Sequence, residues 1–224
     1  MSASVFEVAP VPAVTSEPPV TSIEVPTSRT VDERIAPFLS LWDGFFNRAQ
    51  QADYLQYFLH QHPWPTNHYS VAGRSFQLPR QQTWHADPGI VYSYTDNLLT
   101  SQPWNALLLQ IRRALEAKLN YPFNAVLVNL YRDGSDYVGW HSDDDREMGT
   151  EPLIASVTFG ATRGFQYRSS ATGEVGELEL NSGSLLVMHP EFQRHFQHGV
   201  PPAPEIHQPR INLTFRRVLP PPAK

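Results

Sequence analysis

Between Pro122 and Phe123 the sequence changes its rhythm, and that change limits the folds open to the chain more than any other feature. Upstream, apolar residues recur at helical spacing. Downstream they gather in short runs, separated by turn chemistry at Asp133-Gly134, Thr172-Gly173 and Asn181-Ser182-Gly183. The pattern predicts strands over Ala125–Tyr131, Ala155–Phe159, Phe165–Tyr167, Glu177–Leu180, Ser184–Met188 and Ile211–Arg217. No helical pattern alternates with them, which argues against βαβ units and a parallel sheet. Helices first and many short strands afterwards predict a mainly β chain with flanking helices. The expected architecture is a double-stranded β-helix, or jelly roll, with N-terminal helices packed on one sheet.

Two helices precede the switch. Tyr54, Leu55, Phe58 and Leu59 form an apolar stripe over Arg48–His60, with Asn47 as N-cap and Pro63 beyond the end. Trp104, Leu107, Leu108, Ile111, Leu115 and Leu119 follow the i, i+3, i+4, i+7 pattern, with Pro103 in the first turn and Pro122 after the end. Residues 1–30 hold five prolines and one aromatic, too little to offset the entropy of ordering, and predict a disordered arm. The folded domain is expected over 31–219, followed by a flexible tail at 220–224.

Composition narrows the chemistry. With no Cys, thiolate metal sites, disulfides and Cys nucleophiles are excluded, so any metal must use His, carboxylate or solvent. No run approaches 18 apolar residues and no apolar stretch follows a basic start, so neither a membrane partner nor a secretory signal is expected. A cytoplasmic monomer, nuclear if the source is eukaryotic, is the expectation. The formal charge of −5 weighs against a broad electrostatic grip on nucleic acid.

The densest polar stretch is Gly139-Trp140-His141-Ser142-Asp143-Asp144-Asp145. In extended chain His141 and Asp143 point to one face and could supply two metal ligands, with a third from His189, His195 or His198. Two His and one carboxylate with open positions left over is the arrangement of non-haem Fe(II) oxygenases. A solvated acidic loop is the plainer alternative. The C-terminal strand weighs against it: Arg210, Asn212, Thr214 and Arg216 alternate with Ile211, Leu213 and Phe215, so one face is wholly polar and carries two arginines. Arginine is the side chain best shaped to grip a carboxylate, and such an oxygenase needs a site for a dicarboxylate cosubstrate.

Several blocks together resemble the AlkB family. They are Asn129-Leu130-Tyr131-Arg132-Asp133-Gly134-Ser135-Asp136, then His141-Ser142-Asp143, Pro152 through Gly160, Gly183 through Met188, His198-Gly199-Val200-Pro201, and Arg210-Ile211-Asn212-Leu213-Thr214-Phe215-Arg216. The resemblance spans roughly 36–217. It implies an Fe(II)- and 2-oxoglutarate-dependent dioxygenase that demethylates alkylated nucleobases with O2, releasing succinate, CO2 and formaldehyde. By that resemblance His141, Asp143 and His198 would ligate iron. Arg210 would bind the distal carboxylate of 2-oxoglutarate, with Asn129, Tyr131, Asn212, Arg216 and the weaker candidate Thr214 completing the pocket.

The substrate side also rests on the resemblance. A target base must be flipped out or already single-stranded, and a flipped base needs aromatic faces around it. Tyr94 would stack the base against His141, Tyr92 would offer a hydroxyl, and Asp145 would face the exocyclic amine. Arg74 and Arg80 are the expected phosphate contacts. Relatives that prefer duplex DNA carry an aromatic wedge where this chain has Ala72, which predicts a preference for single-stranded or open substrates. The expected partner is alkylated DNA, with RNA left open. Two alternatives keep their place: the same iron chemistry on a protein, lipid or small molecule, and a non-catalytic jelly-roll binding module.

Overall fold

A computed structural model of the chain describes residues 26–65, 68–71, 74–90, 93–94, 97–98 and 101–219. In chain order the elements are β1 (Thr27–Arg29), β2 (Leu39–Asp43), α1 (Arg48–His60), β3 (His68–Val71), β4 (Arg74–Gln77), β5 (Gln81–Ala86), β6 (Ser93–Tyr94), β7 (Asn97–Leu98) and β8 (Ser101–Gln102). Then come α2 (Ala106–Leu119), β9 (Ala125–Tyr131), β10 (Val138–His141), β11 (Ile154–Gly160), β12 (Arg163–Ser169), β13 (Val175–Leu180), β14 (Leu185–Met188), the single turn α3 (Phe192–His195), β15 (Phe196–Val200) and β16 (Arg210–Arg216). Eight strands form a major sheet in the order β1-β2-β14-β11-β16-β9-β5-β8, and four form a minor sheet in the order β10-β15-β12-β13. This is the jelly roll with helices on one sheet that the pattern predicts.

The helices cover the major sheet's outer face. Asn47 and Gln50 make a reciprocal capping box at the start of α1, and Asn105 caps α2 through Leu108 N. The cap places the first turn of α2 at Ala106 rather than at Trp104, with Pro103 lying before the cap. Phe58 of α1 and Leu108, Ile111 and Leu115 of α2 are fully buried against Val126, Val128, Leu213 and Phe215 of the sheet. Each such side chain stabilises the fold by about 1.5–3 kcal/mol, and Ile111→Ala would cost about 2–5 kcal/mol.

The opposite face of the major sheet meets the minor sheet. Period two therefore sends Ile211, Leu213 and Phe215 to the helices, and Arg210, Asn212, Thr214 and Arg216 into the space between the sheets. All seven residues of β16 are buried. The polar face of this strand is thus an interior wall.

Six strands of the two larger sheets escaped the sequence pattern: β1, β2, β5, β8, β10 and β15, most of them short or rich in polar residues. The predicted arm also needs correction, because Thr27–Arg29 pairs antiparallel with Leu41–Asp43 and extends the major sheet. Residues 1–25, the tail at 220–224, Tyr92 and Ala72 lie outside the described residues. Among the described residues, no helix is long and apolar enough to cross a membrane.

Candidate metal and cosubstrate site

Strand pairing brings two histidines face to face. His141 and His198 are directly opposed in the β10–β15 register, and their ring centroids lie 4.2 Å apart. Between Val138 and His141 the strand β10 carries two residues, Gly139 and Trp140, where β15 carries only Gly199. Two residues against one is a β-bulge, a device that re-aims a side chain. The bulge carbonyl of Gly139 accepts from His141 Nδ1 at 2.9 Å, which leaves Nε2 as the free donor atom aimed at the cluster. Gly199 leaves little room at this crossing: a Cβ there would sit 3.0 Å from the Val138 carbonyl oxygen.

Asp143 lies just beyond the end of β10. Its backbone N–H donates to Gln193 Oε1 on α3 at 2.9 Å, and its two carboxylate oxygens each accept from Arg216 Nη2 at 2.8 Å. The ligand atoms of His141, Asp143 and His198 all lie within 4.8 Å of one another. Phe165 stacks on the His198 ring at 5.3 Å and Phe192 flanks it, so the imidazole has little freedom to turn.

The protonation states suit a metal. Burial alone would raise the Asp143 carboxyl, but the Arg216 guanidinium together with His141 and His198 holds it well below the usual carboxylate range. Burial, reinforced by His141, pushes the His198 imidazole down to about 3, so it is neutral at physiological pH. Its Nδ1 is buried without a hydrogen-bond partner. Two imidazoles, that of His198 neutral, and an ionised carboxylate converging on one point match the donor set of a facial Fe(II) site.

The same cavity extends to Arg210. Its side chain is 1% exposed, Nη2 donates to Thr158 Oγ1 at 3.0 Å, and the guanidinium lies 5.1 Å from the centre of the Tyr131 ring. Nε and Nη1 are buried without partners. Burial pushes this guanidinium down to about 10, with Tyr131 acting the other way. A buried cation with two unused donors, opening on the same cavity as a metal cluster, fits one carboxylate of a small dicarboxylate.

The other expected pocket residues are present with differing duties. Asn129 and Tyr131 line the cavity from β9. Asn212 spends its amide on Ser156 Oγ and the Val157 carbonyl, and Thr214 donates to Asn212 Oδ1, so Thr214 orients a neighbour. Arg216 lines the cavity but grips Asp143, a role the strand alternation did not reveal. Of the rejected histidines, His189 Nε2 is 2.8 Å from Ser40 Oγ, and the His195 ring packs on Phe38.

One expected phosphate contact requires correction. Arg80 is 7% exposed, donating from Nε to Asn129 Oδ1 at 3.1 Å and from Nη1 to the Tyr137 carbonyl. It sits in the cavity wall. Arg74 and Tyr94 belong to β4 and β6, and their side chains lie outside the described residues. Asp145 is half-buried at the start of the 3-10 turn Arg146–Met148, its carbonyl accepting from Met148 N. Sequence reasoning missed Gln193. Arg163 is 1% exposed and donates to the carbonyls of Asp133, Asp136 and Pro201, tying the β9–β10 loop to the β15–β16 loop. No periodicity marks Gln193, which sits in a single turn of helix.

Comparison with known proteins agrees with this geometry. Residues 38–216 match the model of the 2OG-Fe(II) oxygenase superfamily. The chain is 40% identical over 158 residues to the DNA oxidative demethylase ALKBH2 of Mus musculus, covering 67% of this chain and 66% of that protein. It is 34% identical over 193 residues to the alpha-ketoglutarate-dependent dioxygenase alkB homolog 3 of Homo sapiens, covering 81% and 66%. It is also 33% identical over 235 residues to the ALKBH2 of Arabidopsis thaliana, covering 88% and 72%. The match thus spans about two thirds of the length of these curated relatives. The solved structure of OsALKBH1 superposes with a TM-score of 0.60 over 85% of this chain and all of that one, at 19% identity, a likeness of fold.

Proposed function

Because this chain belongs to the 2OG-Fe(II) oxygenase superfamily and, within it, to the AlkB family, we propose that it oxidatively removes alkyl groups from nucleobases in DNA, with N-methylated adenine and cytosine as substrates. The observation that carries the proposal is a single cavity holding a His-Asp-His cluster and a buried arginine with free donors.

His141 through Nε2, Asp143 and His198 would hold Fe(II), and Arg210 would hold the far carboxylate of 2-oxoglutarate. With both bound, the site would supply O2-dependent hydroxylation of an N-methyl carbon, released as formaldehyde, coupled to decarboxylation of 2-oxoglutarate to succinate and CO2. The chain's own contribution is placement. Arg216 keeps Asp143 ionised. Phe165 and Phe192 fix the His198 ring. Arg210 orients the dicarboxylate, backed by Thr158 and the Tyr131 face. The interior position of these groups restricts water and favours charge-assisted contacts.

Single strands are the favoured substrate in this proposal, since an alanine at position 72 cannot fill the gap left by a flipped base. The test supplies Fe(II), 2-oxoglutarate and oligonucleotides carrying 1-methyladenine or 3-methylcytosine, in single strands, in duplex and as RNA. Formaldehyde and succinate should form in equal amounts and faster on single strands. Succinate without formaldehyde on every oligonucleotide would refute the substrate class, and a duplex preference would refute the strand preference.

A further inference from the structure

Among the described residues four large apolar side chains are exposed, and two are aromatics three residues apart: Tyr137 at 42% and Trp140 at 38%. Together they line a groove of about 250 Å³ along with Gly139, Gly199 and Pro201. Exposed aromatics sharing one groove on a rigid support mark a recognition surface.

The support is rigid here. Tyr137 is pinned through its backbone, N–H to the Pro79 carbonyl at 3.0 Å and carbonyl from Arg80 Nη1 at 3.3 Å. Trp140 is one of the two residues of the β-bulge. The extra residue lets His141 turn toward the cavity while Trp140 stays exposed. The guanidinium of Arg168 lies 4.8 Å from the centre of the Trp140 ring and is itself held by Gln197. The groove adjoins the cavity of the metal cluster across β10: Val138 lines both, and Trp140 directly precedes His141 in the chain.

We propose that Tyr137 and Trp140 form a stacking platform for the unpaired bases flanking the target base of a single-stranded nucleic acid, with Arg168 at its rim to meet a phosphate. The proposal deepens the substrate reading above and rests on it. Three features select this occupant. Unpaired bases offer free faces, whereas those of a duplex are already stacked. The charge of −5 denies the chain a strong long-range pull on phosphates, so affinity must come from short-range contact. Arg168, next to the groove, stacks on the Trp140 ring, as expected where a guanidinium supports a base-stacking ring.

The experiment measures binding apart from catalysis. Fluorescence anisotropy of a labelled, unmethylated single strand of about 15 nucleotides, and of the blunt duplex of the same sequence, follows the full chain loaded with Fe(II) and 2-oxoglutarate. Base stacking predicts that Trp140→Ala weakens single-strand binding roughly 5- to 150-fold, with Tyr137→Ala giving a smaller loss and Trp140→Phe recovering most of it. Duplex binding should change little. Kinetically, Trp140→Ala should raise KM for a methylated pentanucleotide and leave KM for the methylated mononucleotide as in the wild type, because the latter has no flanking base. Unchanged single-strand affinity would overturn the platform and assign the groove to another partner, and equal losses on single strand and duplex would overturn it as well. Failure of the wild type to demethylate the mononucleotide would count against the substrate reading, while the anisotropy result would still decide the platform.

Discussion

Arg210 should carry opposite signs for stability and for function. Its guanidinium is 1% exposed, with one hydrogen bond to Thr158, the Tyr131 face nearby, and two nitrogens without partners. Burial moves it from its ordinary 12.5 to about 10, so its charged form lies roughly 3 kcal/mol higher in the folded protein than in water. Arg210→Met keeps much of the volume and removes the charge. Subtracting about 1 kcal/mol for the lost bond to Thr158 leaves a net stabilisation of about 2 kcal/mol, or roughly 4–8 °C in Tm for a domain of this size. The same substitution removes the partner of a ligand carboxylate. Two charge-assisted hydrogen bonds at about 1.5–3 kcal/mol each imply a loss of 2-oxoglutarate affinity of roughly 10²- to 10⁴-fold. Thermal unfolding of wild type and variant, loaded with Mn(II) and titrated with 2-oxoglutarate, reads both quantities. The wild type should gain about 2.7 kcal/mol of stability at a ligand concentration one hundred times Kd, and the variant should gain almost none there. A variant less stable than wild type without ligand, or one still stabilised by 2-oxoglutarate, would refute the reasoning.

Two further expectations concern the scaffold. Gly199→Ala places a methyl 3.0 Å from the Val138 carbonyl and 3.2 Å from that of Gly139. It should cost about 1–3 kcal/mol in urea unfolding and weaken Mn(II) binding by calorimetry by opening the His141–His198 pair; unchanged metal affinity would show the bulge to be compliant. The second is pH-dependent. Burial, with the charge of His85 adding to it, lowers His62 to about 4, and burial lowers His85 too, the two rings meeting at Thr83 Oγ1. Between about pH 6.5 and 4 the unfolded chain binds protons that folded His62 refuses, so this stability is present above 6.5 and lost as pH falls. Denaturation at pH 7.5 and 5 should differ by about 2 kcal/mol more in wild type than in His62→Leu, and equal slopes would sink the assignment.

The parts of the molecule legible in the sequence are those where one physical signal dominates. On β16 the alternation is complete, so both its apolar face toward the helices and its polar face toward the cavity could be read directly. What could not be read was that the polar face is buried, because period two distinguishes the two faces of a strand without saying which meets water. The helices were legible for the same reason, apart from the start of α2, where Asn105 capping overrode the apolar pattern that begins at Trp104.

The site was legible in its residue types and illegible in its mechanics. His141 and Asp143 were grouped as neighbours on one face of a strand, yet β10 ends at His141, and Asp143 is reached across 73 residues by Arg216. Nothing in the local pattern could show this. An irregular strand with one extra residue has no period, and a partner so distant in the chain leaves no spacing to detect. The bulge that hid β10 from the sequence pattern is also what sends His141 inward while Trp140 remains outside. One local distortion therefore couples the metal cluster to the exposed aromatic groove. Deletion of Gly139 would regularise β10, keeping Val138 opposite Val200 and His141 opposite His198, and would remove the distortion that re-aims His141.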